Sequence, residues 1–259
     1  MEKPVATGSA FSLVGRTALV TGSTRGIGRA ILLGMAEAGA GVVAHGVRAG
    51  ARSEGILAEG AARNAAMRFV PGDLSLPGGG REFAERAQNE TGGIDIVVLN
   101  ASLQIRKPWN EITPEESALQ FQTNFQSSLE ILQVLVPAMR GRGWGRVVAV
   151  GSVQQVRPHP EMAVYAATKV AQFSLVRNLA RQLACDGITV NNLSPGVIVT
   201  DRNADKLADP DYAADVLSMI PGGRFGKPQD CVGAALLLCS DAGSYITGQD
   251  FFVDGGMSL

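Results

Sequence analysis

Thr17-Ala18-Leu19-Val20 runs directly into Thr21-Gly22-Ser23-Thr24-Arg25-Gly26-Ile27-Gly28, after which Ile27 to Ala38 carries a helical pattern closed by Gly39. A short apolar run, a glycine-rich turn and a helix together form the first half of a βαβ unit. Glycine lets the backbone turn tightly and approach a ligand, and a helix starting there offers free N–H groups and its positive dipole end to an anion. The stretch Gly22, Ser23, Thr24, Arg25, Gly26, Ile27, Gly28 is therefore a candidate pyrophosphate cradle. Its position between strand and helix carries that reading more than the glycine spacing does.

The same alternation continues outward. Strands are expected at Gly41–Ala44, Met67–Val70, Ile94–Leu99, Arg146–Val150, Ile188–Leu193 and Asp250–Asp254, and helices at Ala51–Asn64, Pro114–Arg140 and Ala163–Cys185. Near-continuous Val/Ile/Leu runs separated by helices require a parallel sheet covered on both faces. The expectation is an α/β fold in one domain, residues 13–259, a doubly wound (Rossmann) parallel sheet of about seven strands with helices on both faces. Residues 1–12 read as a flexible start. Residues 197–227, with Pro210 and Pro221-Gly222-Gly223, read as a loop-rich substrate-binding lobe.

Composition narrows the function. Of 259 residues, 46% are hydrophobic and 18% charged, with a net charge of −1, so there is no basic footprint for nucleic acid and no polybasic membrane patch. No apolar leader or membrane-length run is present, and the expected location is the cytoplasm. With two histidines and three cysteines in no CxxC pair, a metal site is not expected, and Cys185, Cys231 and Cys239 read as buried and reduced.

Tyr165-Ala166-Ala167-Thr168-Lys169 lies within an expected helix, so a phenol and an ammonium share one face. A phenol titrates near 10, and a base at neutral pH needs that lowered by roughly three units, about 4 kcal/mol. Ser152 follows a strand, at the sheet edge where open α/β folds bind ligands. Ser152 with His159 could suggest a hydrolase, but Gly151-Ser152-Val153-Gln154 is no nucleophile elbow.

Taken together, these motifs resemble the short-chain dehydrogenase/reductase family over Leu13 to Leu259. The resemblance implies an oxidoreductase that transfers hydride between a nicotinamide cofactor and a carbonyl/alcohol pair, with a tetrad at Asn124, Ser152, Tyr165 and Lys169. In that scheme Tyr165 exchanges the hydroxyl proton and Ser152 holds the carbonyl oxygen. Lys169 binds the ribose and lowers the Tyr165 pKa, and Asn124 kinks its helix and holds a relay water. Cofactor contacts are implied at Asp73, Leu74, Asn100, Ala101, Pro195, Gly196, Ile198 and Thr200. Where the family usually has Asn-Asn-Ala-Gly, this chain has Leu99-Asn100-Ala101-Ser102.

Gly46 stands where an acid would select NAD, and Arg25 and Arg48 could hold a 2′-phosphate, so NADP(H) is favoured over NAD(H). Gln104, Gln154, His159 and Arg202 make the substrate segments polar, which suits a polyol or a keto sugar acid of the gluconate type. Reduction of 3-oxoacyl thioesters, or a non-catalytic NADP-binding regulatory role, are the competing readings. Apolar residues on more than one face of the two long helices, with the resemblance, imply a homotetramer; a monomeric mass by light scattering would reject it.

Overall fold

A computed structural model describes residues 10–259, and the expected flexible start lies outside them up to residue 9. Seven strands form one sheet: β1 (Thr17–Val20), β2 (Gly41–Gly46), β3 (Met67–Pro71), β4 (Ile96–Leu99), β5 (Gly145–Val150), β6 (Ile188–Pro195) and β7 (Asp250–Val253). Their order is β3-β2-β1-β4-β5-β6-β7, and every pairing is parallel. The order reverses between β1 and β4, so the chain leaves the C-terminal ends of these neighbouring strands in opposite directions and opens a crevice there.

Alternating strand residues feed two cores. Ala18, Val20, Val98 and Val148 face one side with α1 (Gly26–Glu37), while Leu19, Val97, Val147 and Val190 face the other. α2 (Ala51–Ala62) covers β2 and β3 on the first side through Ile56. On the second side lie α3 (Gly79–Thr91), α5 (Ser127–Arg142) and α6 (Ala163–Leu183). The α3 helix is not among the expected ones. It begins in a run of glycines and buries only Phe83, Ala84 and Ala87 beyond them, a stripe too narrow to read as helical periodicity.

The expected helix Pro114–Arg140 is two helices, α4 (Pro114–Phe121) and α5, joined by a π-helical turn at Gln122–Gln126. It runs past the expected end at Arg140 to Arg142, where Gly143 in the left-handed conformation stops it. The lobe is less irregular than its prolines imply. It holds α7 (Ala204–Leu207) and α8 (Pro210–Ser218), the second starting at Pro210 with Asp209 as its N-cap. The short apolar helix α9 (Val232–Cys239) packs on the first core. Cys231 and Cys239 are buried, but Cys185 is exposed, because its turn falls beyond the end of α6.

Candidate active site

Above the ends of β1, β4, β5 and β6 lies a cavity of about 1010 Å³. At one end the α1 helix begins without a side-chain cap and without an acid in its first turn, so its first amides stay open to an anion. The turn before it is braced from behind. Thr21 Oγ1 accepts from the amides of Asn100 and Ala101, each at 2.9 Å, and Asn100 Nδ2 donates to the carbonyls of Thr21 (2.8 Å) and Gly22 (3.1 Å). A Cβ on Gly22 would sit 3.0 Å from Ala101 Cα, and one on Gly28 would sit 2.6 Å from the Gly22 carbonyl. The turn closes this tightly only because both positions lack a side chain.

His45, which the sequence motif does not single out, completes the brace. Its Nδ1 accepts from the Gly22 amide at 2.9 Å, so the ring proton sits on Nε2, 3.0 Å from the Gly72 carbonyl. Burial pushes its pKa down to about 4. A folded pKa below the unfolded value of 6.5 means that the unfolded chain binds the extra proton, so stability falls as pH drops from about 6.5 towards 4. Urea unfolding should therefore show about 2 kcal/mol less stability at pH 5 than at pH 7 from this group. That increment should be missing in His45→Gln; an unchanged pH dependence in the variant would refute the assignment.

Ser152, Tyr165 and Lys169 come together where β5 and α6 meet the cavity. Ser152 Oγ accepts from the Gln154 amide at 3.2 Å, which leaves its proton to donate into the cavity. Lys169 is buried, with Nζ 2.7 Å from the Val150 carbonyl and 3.1 Å from Gln172 Oε1, and 5.8 Å from the Tyr165 ring centroid. Burial, then the Arg202 charge, brings its pKa down to about 7. The Tyr165 phenol is raised by burial and pulled back by the Arg202 charge and by hydrogen bonding with Ser152, Ser102 and Arg202. The Arg202 charge acts on the Tyr165 phenol, and Lys169 holds the end of β5 through the Val150 carbonyl.

Asn124 lies in the π-helical turn, fully buried and off the cavity wall. Its Oδ1 accepts from the Leu103 amide at 2.7 Å, and its Nδ2 donates to the Leu103 carbonyl (2.9 Å) and Thr168 Oγ1 (3.0 Å). The wider turn brings this amide inward, and the amide ties the loop after β4 to α6.

Among the other sequence candidates, Thr24, Arg25, Gly26, Ile27, Arg48, Asp73, Leu74, Asn100, Ala101, Pro195, Gly196, Ile198 and Thr200 line the cavity. Ser23 and Gly28 do not. Ser23 is turned into the protein, its Oγ accepting from the His45 amide at 2.9 Å, and Gly28 lies behind the turn. Asp73 caps its own turn, accepting from the Ser75 amide at 3.0 Å. Thr200 is held by Asn203, whose Oδ1 accepts from the Thr200 amide at 2.9 Å.

The substrate candidates Gln104, Gln154, His159 and Arg202 all reach the cavity, joined by Arg106, Lys206 and Tyr212. Arg106 is paired with Glu161 at 2.9 Å and lies 3.2 Å from His159 Nε2. Gln155, which the sequence offers only as a further polar residue of this segment, braces Ser152: its Oε1 accepts from the Ser152 amide at 3.1 Å while its Nε2 donates to Asp250 at 2.8 Å. Asn192 and Ser194 of β6 donate to the same carboxylate, at 2.8 and 2.7 Å. This network joins β6 and β7 to the turn after β5, and no local spacing announces it.

A family model described as enoyl-(acyl carrier protein) reductase matches residues 22–258. A 3-oxoacyl (acyl-carrier-protein) reductase from Agrobacterium tumefaciens C58, solved with NADP bound, superposes with a TM-score of 0.94 at 43% identity, covering 97% of this chain and 98% of the other. Gluconate 5-dehydrogenase of Gluconobacter oxydans is 33% identical over 252 residues, 96% of this chain and 97% of that one. A chloroplastic tropinone reductase homolog of Arabidopsis thaliana is 36% identical over 259 residues, 96% of this chain and 77% of its own. No helix among the described residues is long and apolar enough to cross a membrane.

Proposed function

The chain belongs to the short-chain dehydrogenase/reductase family, and from that premise we propose that it interconverts a carbonyl and a secondary alcohol on a polyol or keto sugar acid, using NADP(H) in preference to NAD(H). The observation that carries the chemistry is the convergence of Ser152, Tyr165 and Lys169 on a cavity whose far end is an uncapped helix N-terminus. The nicotinamide cofactor, when bound, supplies or accepts the hydride. The cradle of Gly22 to Gly28 would hold its pyrophosphate and Lys169 its ribose. In reduction, Ser152 donates to the substrate oxygen and steadies the charge that develops there, while Tyr165 delivers the proton. A phenol raised by burial stays protonated at neutral pH, the form this step needs. In oxidation Tyr165 takes the proton instead. Asn124 serves by fixing Leu103 and α6 beneath them.

NADP(H) preference is supported by the charge at the cavity end. Arg25, Arg48 and Arg52 line it beside Gly46, and among the described residues Asp73 and Asp201 are the only carboxylates on the cavity wall. Gly46→Asp introduces a like charge against a 2′-phosphate. It should lower the NADPH to NADH ratio of kcat/KM by more than about tenfold. A Cβ there meets Thr24 Cγ2 at 3.2 Å, a contact a small shift relieves. A wild-type protein that turns over NADH as well as NADPH would contradict the preference.

The sugar-acid reading draws on the polar wall of Gln104, Gln154, His159 and Arg202, and on the likeness to gluconate 5-dehydrogenase. Sugar acids, polyols, acyl thioesters and steroids should be assayed with both cofactors. Turnover confined to acyl thioesters would replace the sugar-acid reading with the one that the likeness to 3-oxoacyl reductase favours. The assembly we propose is a homotetramer.

A further inference from the structure

Ser102 replaces the glycine usual to the family, and the structure shows what faces it. Arg202, from the lobe, donates to Ser102 Oγ at 3.1 Å and to the Ser102 carbonyl at 2.8 Å, bridging the cavity from lobe to sheet. The loop that delivers it is set by Asn203, whose Nδ2 donates to the Ile198 carbonyl at 2.9 Å and whose Oδ1 accepts from the Thr200 amide. Arg202 therefore stands beside the Tyr165 hydroxyl at the mouth of the cavity.

Two arginines thus line the substrate side, and they differ in one respect. Arg106 is already neutralised by Glu161, whereas Arg202 is in no ion pair among the described residues, its neighbour Asp201 facing Arg25 at 3.9 Å. Its partners at Ser102 are neutral oxygens, which orient the guanidinium without cancelling its charge. A planar cation held this way is suited to a carboxylate. Because it flanks the hydroxyl that meets the reacting oxygen, a carboxylate that it grips must lie close to the reacting carbon.

We infer that Arg202, held by Ser102, is a substrate-binding residue that reads a carboxylate one or two carbons from the carbon that gains or loses hydride. This rests on the keto sugar acid reading and makes it narrower: the enzyme acts on 2- or 3-hydroxy acids and their oxo forms, and not at the far end of the chain.

Calorimetric titration of malonate into the NADP+-loaded protein tests this without turnover. Binding should weaken by about tenfold or more in Arg202→Gln. It should weaken less in Arg202→Lys, which keeps the charge and loses the fork, and less in Ser102→Gly, which keeps the carbonyl contact. NADP+ affinity, measured separately, should stay within about threefold of wild type in all three, a change of under 1 kcal/mol. Malonate binding unaffected by Arg202→Gln overturns the assignment, as does a loss confined to NADP+, which would make the arginine a cofactor contact. In turnover of six-carbon acids, product oxidised at carbon 2 or 3 supports the assignment and product oxidised only at carbon 5 overturns it. Failure of all carbonyl and alcohol substrates with malonate binding intact would refute the proposed activity and leave this anion site standing.

Discussion

Tyr165→Phe is expected to lower kcat for carbonyl reduction by about a thousandfold, some 4 kcal/mol of barrier, while NADPH binds as before. The substitution removes one oxygen and keeps the ring that α6 packs into the protein, so the fold has little to lose. What disappears is the proton donor, and no neighbour replaces it. In the proposed scheme Ser152 serves the substrate oxygen, the Arg202 guanidinium is held by Ser102, and the Lys169 amine is buried against the Val150 carbonyl and Gln172. The hydroxyl's neighbours are Ser152, Ser102 and Arg202, all on the substrate side, which is why cofactor affinity should be spared. Stopped-flow NADPH oxidation and fluorescence titration separate the two effects. A variant retaining a tenth of wild-type kcat would show that proton delivery comes from elsewhere.

Gly28→Ala should have the largest effect on cofactor binding for the fewest atoms added. The new methyl would stand 2.3 Å from Asn100 Nδ2 and 2.6 Å from the Gly22 carbonyl, so both the brace and the cradle must shift. Overpacking of this kind costs about 1–3 kcal/mol, and at about 1.4 kcal/mol per decade the resulting loss in NADPH affinity is about ten- to a hundredfold. Gly55→Ala in α2 is the control, since a Cβ there meets nothing within 4 Å. A thermal shift and an affinity measurement on both variants decide the matter. Equal behaviour of the two would mean that Gly28 is no part of the cradle.

The parallel sheet was legible because its strands are short, largely apolar runs bounded by turn residues, and all but the last are followed by a helix, a pattern that survives without tertiary information. The cavity-lining residues that lie in contiguous motifs, Gly22 with Thr24 to Ile27 and Tyr165 with Lys169, were legible for the same reason. What was not legible arises where distant segments meet. His45 looks like the tail of a strand until Gly22 is placed beside its ring. Gln155 is one more polar loop residue until Asp250 of β7 arrives beneath it. Ser102 could be noted only as a departure, since its partner lies a hundred positions along the chain. The π-helical turn left no mark on the hydrophobic pattern, because one extra residue in a helix leaves the apolar stripe nearly unbroken; only the kink that the family resemblance implies at Asn124 pointed to it.

The His45 ring bears on any effort to re-engineer cofactor choice. The position proposed to discriminate the two nicotinamides and the residue whose ring accepts from the Gly22 amide are neighbours, Gly46 and His45, on the same end of β2. Transplanting the whole 44–48 segment from an NAD-selective protein would remove the Gly22 amide's acceptor along with the 2′ selectivity. Poor binding of both cofactors would follow, easily mistaken for a failed design of the ribose pocket. A graft that starts at Gly46 and leaves the imidazole in place keeps the two properties separable, so the boundary of the exchange matters more than its content.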